Sequence, residues 1–176
     1  EIVGNAGTDK VSITTDTTQV MEINPDGSDF IFLGTDNSIT KPEIDEGLLL
    51  RLDARVTSDG TGDFNMGVGV DNTLRYSIVF DDSGTIDLFA RDAAGVNFLA
   101  SGSPVGGFDP TVWHGYEFQI LFGEGGDPDR FDVLVDDVLL FNDIPVDGIF
   151  GDTDQLSTIL GAGGGRRAFV DNVEFF

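Results

Sequence analysis

Apolar residues recur at every second position along much of this chain, and short clusters rich in glycine, aspartate and asparagine interrupt them. The clearest segment is 115–122, in which Tyr116 and every second residue after it are apolar or aromatic. Segment 48–56 alternates in the same way, with charged residues between its aliphatic ones. This period of two predicts β-strands whose side chains point alternately to the two faces of a sheet.

Tight turns are predicted where polar residues separate two such strands. The tetrapeptide Asp-Asp-Ser-Gly at 81–84 and the pair Asp136-Asp137 both consist of residues that favour turns, because aspartate bonds to its local backbone and glycine accepts a positive φ. Two β-hairpins are therefore predicted, formed by segments 74–80 with 85–90 and by 131–135 with 138–141.

The whole chain is predicted to be all-β. About twelve strands joined by short loops pair mostly antiparallel, and so many strands pack as two sheets. Residues 1–176 are expected to form a single sandwich domain, and segment 153–160 is predicted as a short helical turn. The remaining predicted strands are 10–15, 19–23, 30–33, 65–70, 96–100 and 168–176.

Charge excludes one large class of partners. The chain has 32 acidic and 9 basic residues, for a net charge of −23. This field repels nucleic acid, whose phosphates require clustered lysine and arginine. Aspartate accounts for 25 of the 32 acids, which is compatible with simple turn formation, with calcium binding or with solubility in a saline environment.

Other features of the composition narrow the chemistry and the location. There is no cysteine and a single histidine, so disulfides, thiolate metal sites and histidine-rich zinc sites are not expected. No apolar run approaches the ~18 residues of a membrane-spanning helix, so no membrane insertion is predicted. An extracellular or cell-surface protein is expected, with this sequence as the mature form after export.

Three motifs follow one another in the second half of the chain. A strand that begins after Trp113 runs into a Gly/Asp loop and then into the hairpin 131–140, and the chain closes with a glycine loop and the strand 168–176. Over roughly residues 48–176 these motifs resemble the laminin-G-like and concanavalin A-like jelly-roll domains, with Asp137 where that family usually has glycine. The resemblance implies a two-sheet antiparallel jelly-roll sandwich, one end of which Trp113 would close.

Residues for catalysis are scarce. The resemblance directs attention to the Glu-x-Asp-x-x-Glu strand of concanavalin A-like glycosidases, and the nearest match has Glu43 and Asp45 but Leu48 in place of the third acid. A Gly-x-Ser-x-Gly elbow is missing, and a lyase base would have to be His114 or one of the two tyrosines. No enzymatic activity is therefore predicted, and a glycan-active hydrolase or lyase is the third alternative.

Several loops offer oxygen ligands for calcium at short spacing. None completes the twelve-residue spacing of an EF-hand. Asp171 is a further candidate, because alternation of the last strand places it with Phe169 and Val173 on the inward side, where a carboxylate needs Arg166, Arg167 or a calcium ion as its partner. The loop candidates for calcium ligation are Asp26 with Asp29, Asp59 with Asp63, and Asp127 with Asp129.

A polar binding face is predicted from strands of equivalent phase. Arg51, Asp53 and Arg55 share one side of their strand, and Arg75 and Phe89 occupy the corresponding side of two others. If these sides coincide, they form a glycan-binding surface with Phe89 as the aromatic platform. The alternative is a solvated outer surface held by ion pairs across strands.

The sequence thus predicts an extracellular binding or adhesion domain that recognises a glycan or a surface protein. The first alternative is a self-assembling subunit of a filament or surface layer, in which an edge strand accepts a segment from a neighbouring copy.

Overall fold

Strands account for the regular secondary structure of the described residues. The computed structural model describes residues 2–4, 11–16, 18–24, 30–35, 39–40, 47–70, 73–92, 95–104, 106–123, 127–146 and 155–175. The strands are β1 (Ile2–Gly4), β2 (Val11–Asp16), β3 (Thr18–Ile23), β4 (Phe30–Thr35), β5 (Ile39–Thr40), β6 (Gly47–Val56), β7 (Phe64–Val70), β8 (Thr73–Phe80), β9 (Ile86–Asp92), β10 (Gly95–Gly102), β11 (His114–Leu121), β12 (Asp129–Val135), β13 (Val138–Val146), β14 (Gln155–Gly163) and β15 (Ala168–Phe175).

Within the described ranges these strands form two antiparallel sheets. The eight-stranded sheet has the order β1-β4-β14-β7-β8-β9-β10, with β5 also paired to β14. The seven-stranded sheet has the order β13-β12-β11-β6-β15-β3-β2. The prediction of an all-β, two-sheet antiparallel sandwich is confirmed. Across the described residues, no helix is long and apolar enough to cross a membrane.

Alternation along β6 and β11 places the core as predicted. The even-numbered residues of β6 from Leu48 to Val56 are buried, and so are Tyr116, Phe118 and Ile120 of β11. Aromatic contacts join the two sheets, with the Tyr76 ring 4.0 Å from that of Phe131. Burial of these apolar side chains is the main stabilising term of the sandwich.

One end of the core is filled by a stack of rings that does not include Trp113. Phe80 of β8 stacks on Tyr116 of β11 with ring centroids 5.0 Å apart, and Phe108 packs edge-on against Phe80 at 6.0 Å. Trp113 is instead 37% exposed. The prediction that Trp113 closes the end of the sandwich is therefore wrong, because the tryptophan precedes β11 and lies on the outer surface of its sheet.

Both predicted hairpins are confirmed. β8 pairs with β9, and β12 with β13. Asp136 and Asp137 have φ angles of 50° and 62°. Two consecutive positive φ angles match the right-handed twist of the strands on either side, and aspartate tolerates them better than most residues other than glycine. Asp137 can therefore stand where the resembling family has glycine.

The helical turn predicted at 153–160 is wrong, since β14 (Gln155–Gly163) occupies most of that segment. β14 is a central strand that pairs with β4 and β7, and residues 156–163 are all buried. A strand buried on both faces has no polar residues at alternate positions. Its sequence, Leu-Ser-Thr-Ile-Leu-Gly-Ala-Gly, therefore lacks the period of two that revealed the other strands.

Candidate functional site

The residues predicted to form one binding face lie on two different sheets. Arg51, Asp53 and Arg55 belong to β6 in the seven-stranded sheet. Arg75 belongs to β8 and Phe89 to β9, both in the eight-stranded sheet, and the side chain of Arg75 lies outside the described part. The outer faces of the two sheets point to opposite sides of the sandwich, so the structure does not bring these residues together. Alternation along a strand does not show which sheet that strand joins.

On the seven-stranded sheet, the side chains around Arg51 contact one another across strands. The Arg51 Nε donates to the Glu117 carboxylate at 2.8 Å, and the guanidinium lies 3.7 Å from Glu174. Burial opposes ionisation of Glu117, but hydrogen bonds from Arg51 and Gln119 outweigh it and hold the pKa of Glu117 below its ordinary value. The one cation of this part of the face, Arg51, is therefore paired with two carboxylates of neighbouring strands.

Arg55 lies between two aromatic rings on the same outer face. Its guanidinium carbon is 4.1 Å from the ring centre of Phe169 and 5.5 Å from that of Trp113. A planar guanidinium stacks favourably on aromatic faces. Asp53, beside it, accepts a hydrogen bond of 2.6 Å from the Asn172 amide. The polar groups predicted as ligand contacts on β6 are therefore engaged within the protein.

On the outer face of the eight-stranded sheet, aromatic side chains lie at the edge, where β9 pairs with the edge strand β10. The register places Phe98 of β10 directly opposite Phe89 of β9. Their rings meet edge to face with centroids 5.6 Å apart, and Phe98 is 57% exposed. One step along the hairpin, the Ser101 hydroxyl donates to the Asp87 carboxylate at 2.6 Å.

The exposed Phe98 ring, packed on the half-buried Phe89, thus lies beside a hydrogen-bonded carboxylate and hydroxyl. This combination is typical of sugar-binding surfaces, in which a ring packs on the apolar face of the sugar and polar groups bind its hydroxyls. We refer to Asp87, Phe89, Phe98 and Ser101 as the hairpin site.

Toward the middle of the same sheet the outer face is closed. Phe89 pairs with Ser77 of β8, and Ser77 pairs with Gly67 of β7. Ser77 is only 4% exposed, and a Cβ on Gly67 would lie 1.8 Å from the Tyr76 carbonyl oxygen. Gly67 is therefore required for the close approach of β7 and β8, and Ser77 leaves little accessible side chain next to the hairpin site.

Phe98 was not among the predicted site residues. A signal for it exists in the sequence, since the turn-forming segment 92–95 fixes the register between the strands on either side. Counting outward from that turn places Phe98 opposite Phe89. The pairing rule therefore finds the second ring once Phe89 is selected.

The first calcium candidates, Asp26 and Asp29, lie outside the described residues. In the loop of Asp59 and Asp63, the backbone oxygens are engaged by an arginine. Arg166, which is 2% exposed, donates to the carbonyl oxygens of Thr57 at 2.7 Å and Gly60 at 3.1 Å and also to that of Gly62. Asp59 itself accepts from Arg167 at 3.5 Å.

In the third candidate pair, Asp127 lies on the surface and Asp129 in the interior. Asp129 is 1% exposed and accepts hydrogen bonds from the Gly123 backbone N at 3.0 Å and from the Tyr76 hydroxyl at 3.4 Å. Tyr76 belongs to the other sheet, so this buried carboxylate connects the two layers. Asp127 is exposed.

Asp171 lies on the outer face of the seven-stranded sheet, so the prediction that it points inward is wrong. Phe169 pairs with Arg55 and Asp171 with Asp53 on that face, while Val170 belongs to the core. The alternation misled because Phe169 is an apolar residue on the outside, where it packs against Arg55.

The two arginines predicted as partners of Asp171 form ion pairs with other carboxylates. Arg166 lies 3.0 Å from Asp82, and Arg167 lies 3.5 Å from Asp59. Among the side chains that the structure describes, no group of three or more acidic or histidine residues is placed to hold a metal ion.

The candidate catalytic groups that the structure describes are engaged in packing and in hydrogen bonds within the protein. Glu43 and Asp45 lie outside the described residues. Burial raises the pKa of Tyr116 far above its ordinary value, and Tyr76 is buried against Asp129. The two ring nitrogens of His114 contact the Asp136 carboxylate at 2.7 Å and the Asp109 carbonyl oxygen at 2.9 Å, so the imidazole fastens two loops together.

The arrangement of the two sheets is shared with solved carbohydrate-recognition domains. The carbohydrate-recognition domain of Emp46p in its potassium-bound form superposes with a TM-score of 0.72 at 10% identity, covering 99% of this chain and 88% of that chain. The fold is a concanavalin A-like jelly roll. The carbohydrate-recognition domain of Emp47p gives a TM-score of 0.69 at 12% identity, with 99% of this chain and 87% of that chain covered.

Carbohydrate-binding module CBM66 from Bacillus subtilis shares the jelly roll with a TM-score of 0.61 at 16% identity, over 99% of this chain and 94% of that chain. No protein-family model and no curated protein matches the sequence. The resemblance seen in the motifs is therefore confirmed at the level of the fold. The concanavalin A-like fold also includes hydrolases, so the fold alone does not assign an activity.

Proposed function

We propose that this chain is a non-catalytic domain that binds glycans at the hairpin site of the eight-stranded sheet. The single observation that carries the proposal is the exposed Phe98 ring, held edge to face against Phe89 beside the hydrogen-bonded Asp87 and Ser101. Phe98 lies two positions from the exposed Val96 on the same edge strand, and adjoining exposed apolar side chains mark ligand-binding surfaces.

The architecture supports the same function. The solved domains with this fold named above are carbohydrate-recognition and carbohydrate-binding domains. Binding without catalysis is supported by the engagement of both tyrosines and of His114 in packing and hydrogen bonding. We further propose an extracellular or cell-surface location, where glycans are displayed, and immunolocalisation on intact cells tests it.

Screening the purified protein on a glycan array, followed by titration of the best glycan, tests the proposed site. Phe98→Ala is expected to weaken binding by at least about tenfold, because an aromatic contact at the centre of a small interface contributes more than the ~1.4 kcal/mol that corresponds to tenfold.

Leu139→Ala is the matched control, since Leu139 is 49% exposed but belongs to β13 of the other sheet. Equal loss in both variants, or retention of full affinity by Phe98→Ala, would exclude the hairpin site. An array on which no glycan binds would exclude the function.

A further inference from the structure

One arginine beside the hairpin site differs from the others. The structure describes the side chains of six arginines, and Arg91 is the one among them without a hydrogen bond, ion pair or ring contact to another described residue. Arg91 is exposed and lies two residues after Phe89 on β9, on the same outer side of the strand. The contacts of the other five are Arg51 with Glu117, Arg55 with Phe169, Arg130 with Asp143, Arg166 with Asp82, and Arg167 with Asp59.

The lack of a described partner for Arg91 is informative because carboxylates are so abundant in this chain. With 32 acidic residues against 9 basic ones, a surface cation would readily find an anion. The residue directly opposite Arg91 is instead Val96, which is 54% exposed, and the next pair along the hairpin is Phe89 with Phe98. Among the described residues, Arg91 therefore lies across from an apolar side chain, and its five donors make no hydrogen bond to any of them.

Resting on the proposed function, we propose that Arg91 makes the hairpin site selective for glycans that end in a carboxylate-bearing sugar. A guanidinium binds a carboxylate through two parallel hydrogen bonds, which add geometric specificity to the electrostatic attraction. Ammonium groups lack this planar geometry, so lysine at this position is only a partial substitute.

The order of the groups along the hairpin defines the orientation of the ligand. Arg91, Phe89 and Asp87 follow one another at every second position, about 6.6 Å apart for a strand rise of ~3.3 Å per residue. A sugar stacked on Phe98 would direct its carboxylate to Arg91 and its hydroxyl donors to Asp87. The reverse orientation places carboxylate against carboxylate and is disfavoured.

The overall charge limits the length of the acidic ligand. Screening reduces interactions beyond ~8 Å at physiological ionic strength, so a single acidic sugar at Arg91 experiences mainly that cation. A polyuronate would extend past Asp87 into the field of a chain with a net charge of −23. The expected ligand therefore carries one terminal carboxylate and is otherwise neutral.

The experiment compares, at about 150 mM salt, the affinity for an acidic glycan with the affinity for the matching neutral glycan. The probes are sialyllactose against lactose, and a disaccharide ending in glucuronic acid against the same disaccharide ending in glucose. These two arms distinguish a sialic acid from a uronic acid as the source of the carboxylate. The wild-type chain is expected to prefer the acidic partner in at least one arm by about tenfold, a typical contribution of a charge-assisted bidentate pair.

Arg91→Gln is expected to abolish that preference, and Arg91→Lys to retain part of it. Arg130→Gln, which removes an exposed arginine on the other sheet, is expected to leave the preference unchanged. Equal affinity of the wild-type chain for acidic and neutral partners in both arms, or an undiminished preference in Arg91→Gln, overturns the inference. Binding of neutral glycans without preference would leave the proposed function standing, whereas no binding on the glycan array would overturn both.

Discussion

Replacement of Arg166 by methionine tests whether one buried arginine holds two loops of the sandwich together. Arg166 is 2% exposed and follows the turn between β14 and β15. Its guanidinium donates to three carbonyl oxygens of the β6–β7 loop and to the Asp82 carboxylate at 3.0 Å. The same two loops also bond through their backbones, as in the contact from Thr61 N to Gly164 O at 3.1 Å.

The expected loss of stability follows from the carbonyl oxygens that Arg166→Met leaves without a donor. Methionine fills a similar volume, but three carbonyl oxygens lose a charged donor, and each charge-assisted hydrogen bond contributes ~1.5–3 kcal/mol. Water that enters the loop recovers part of this, so the expected loss is about 3–5 kcal/mol, as for other buried charged groups. Asp82 is 42% exposed at its side chain, and Asp82→Asn is therefore expected to cost less than about 1 kcal/mol.

Urea unfolding followed by the fluorescence of the single tryptophan, Trp113, measures both changes. Arg91→Gln, at an exposed position, is the matched control and is expected to stay within ~0.5 kcal/mol of the wild-type chain. If Arg166→Met lost less than about 1 kcal/mol, or no more than Asp82→Asn, the carbonyl contacts would not stabilise the fold and the reasoning would be wrong.

Three further predictions concern a strand, a surface ion pair and calcium. Gly67→Ala is expected to lower the melting temperature strongly, because the new Cβ would lie 1.8 Å from the Tyr76 carbonyl oxygen; a melting temperature equal to that of the wild-type chain would contradict this. The pKa of Glu117 is lowered in the folded state, so its ionised carboxylate stabilises the fold at pH values above its ordinary pKa of 4.5. This stabilisation is lost as the pH falls through the folded-state pKa. The melting temperatures of wild type and Arg51→Gln should therefore differ at pH 7, and the difference should shrink as the pH falls below 4.5; a constant difference would refute the assignment. If calcium stiffens the loops, a chelator should lower the melting temperature measured by calorimetry. An unchanged melting temperature would exclude structural calcium.

Much of the strand pattern could be predicted, because one half-buried face leaves a period of two in the sequence. β6 and β11 carry that period and were found with the correct inward residues. β14 was missed because burial on both faces removes the polar half of the pattern. Phe169 illustrates the opposite error: an apolar residue on the outer face, in contact with Arg55, reversed the expected direction of Asp171.

The candidate site was predictable only in part. The sequence selected Phe89 as an aromatic platform, and the pairing across the hairpin adds Phe98 as the exposed ring. The expected partners on β6 do not join them, because the topology assigns β6 to the other sheet. Pairing between residues far apart in the sequence decides which strands become neighbours. The local alternation of apolar and polar residues carries no information about that pairing.

The sequence by itself determined that the chain forms β-strands, where its hairpins turn, and that it is strongly acidic. These properties depend on residues close together in the chain, through alternation, turn conformation and charge. Only the tertiary structure decided that Arg166 engages the loop of Asp59 and Asp63, and that Arg91, beside the exposed Phe98 ring, has no ion pair with any described residue. Both depend on the packing of two sheets, in which the distance between side chains is set by the fold and not by their separation in sequence.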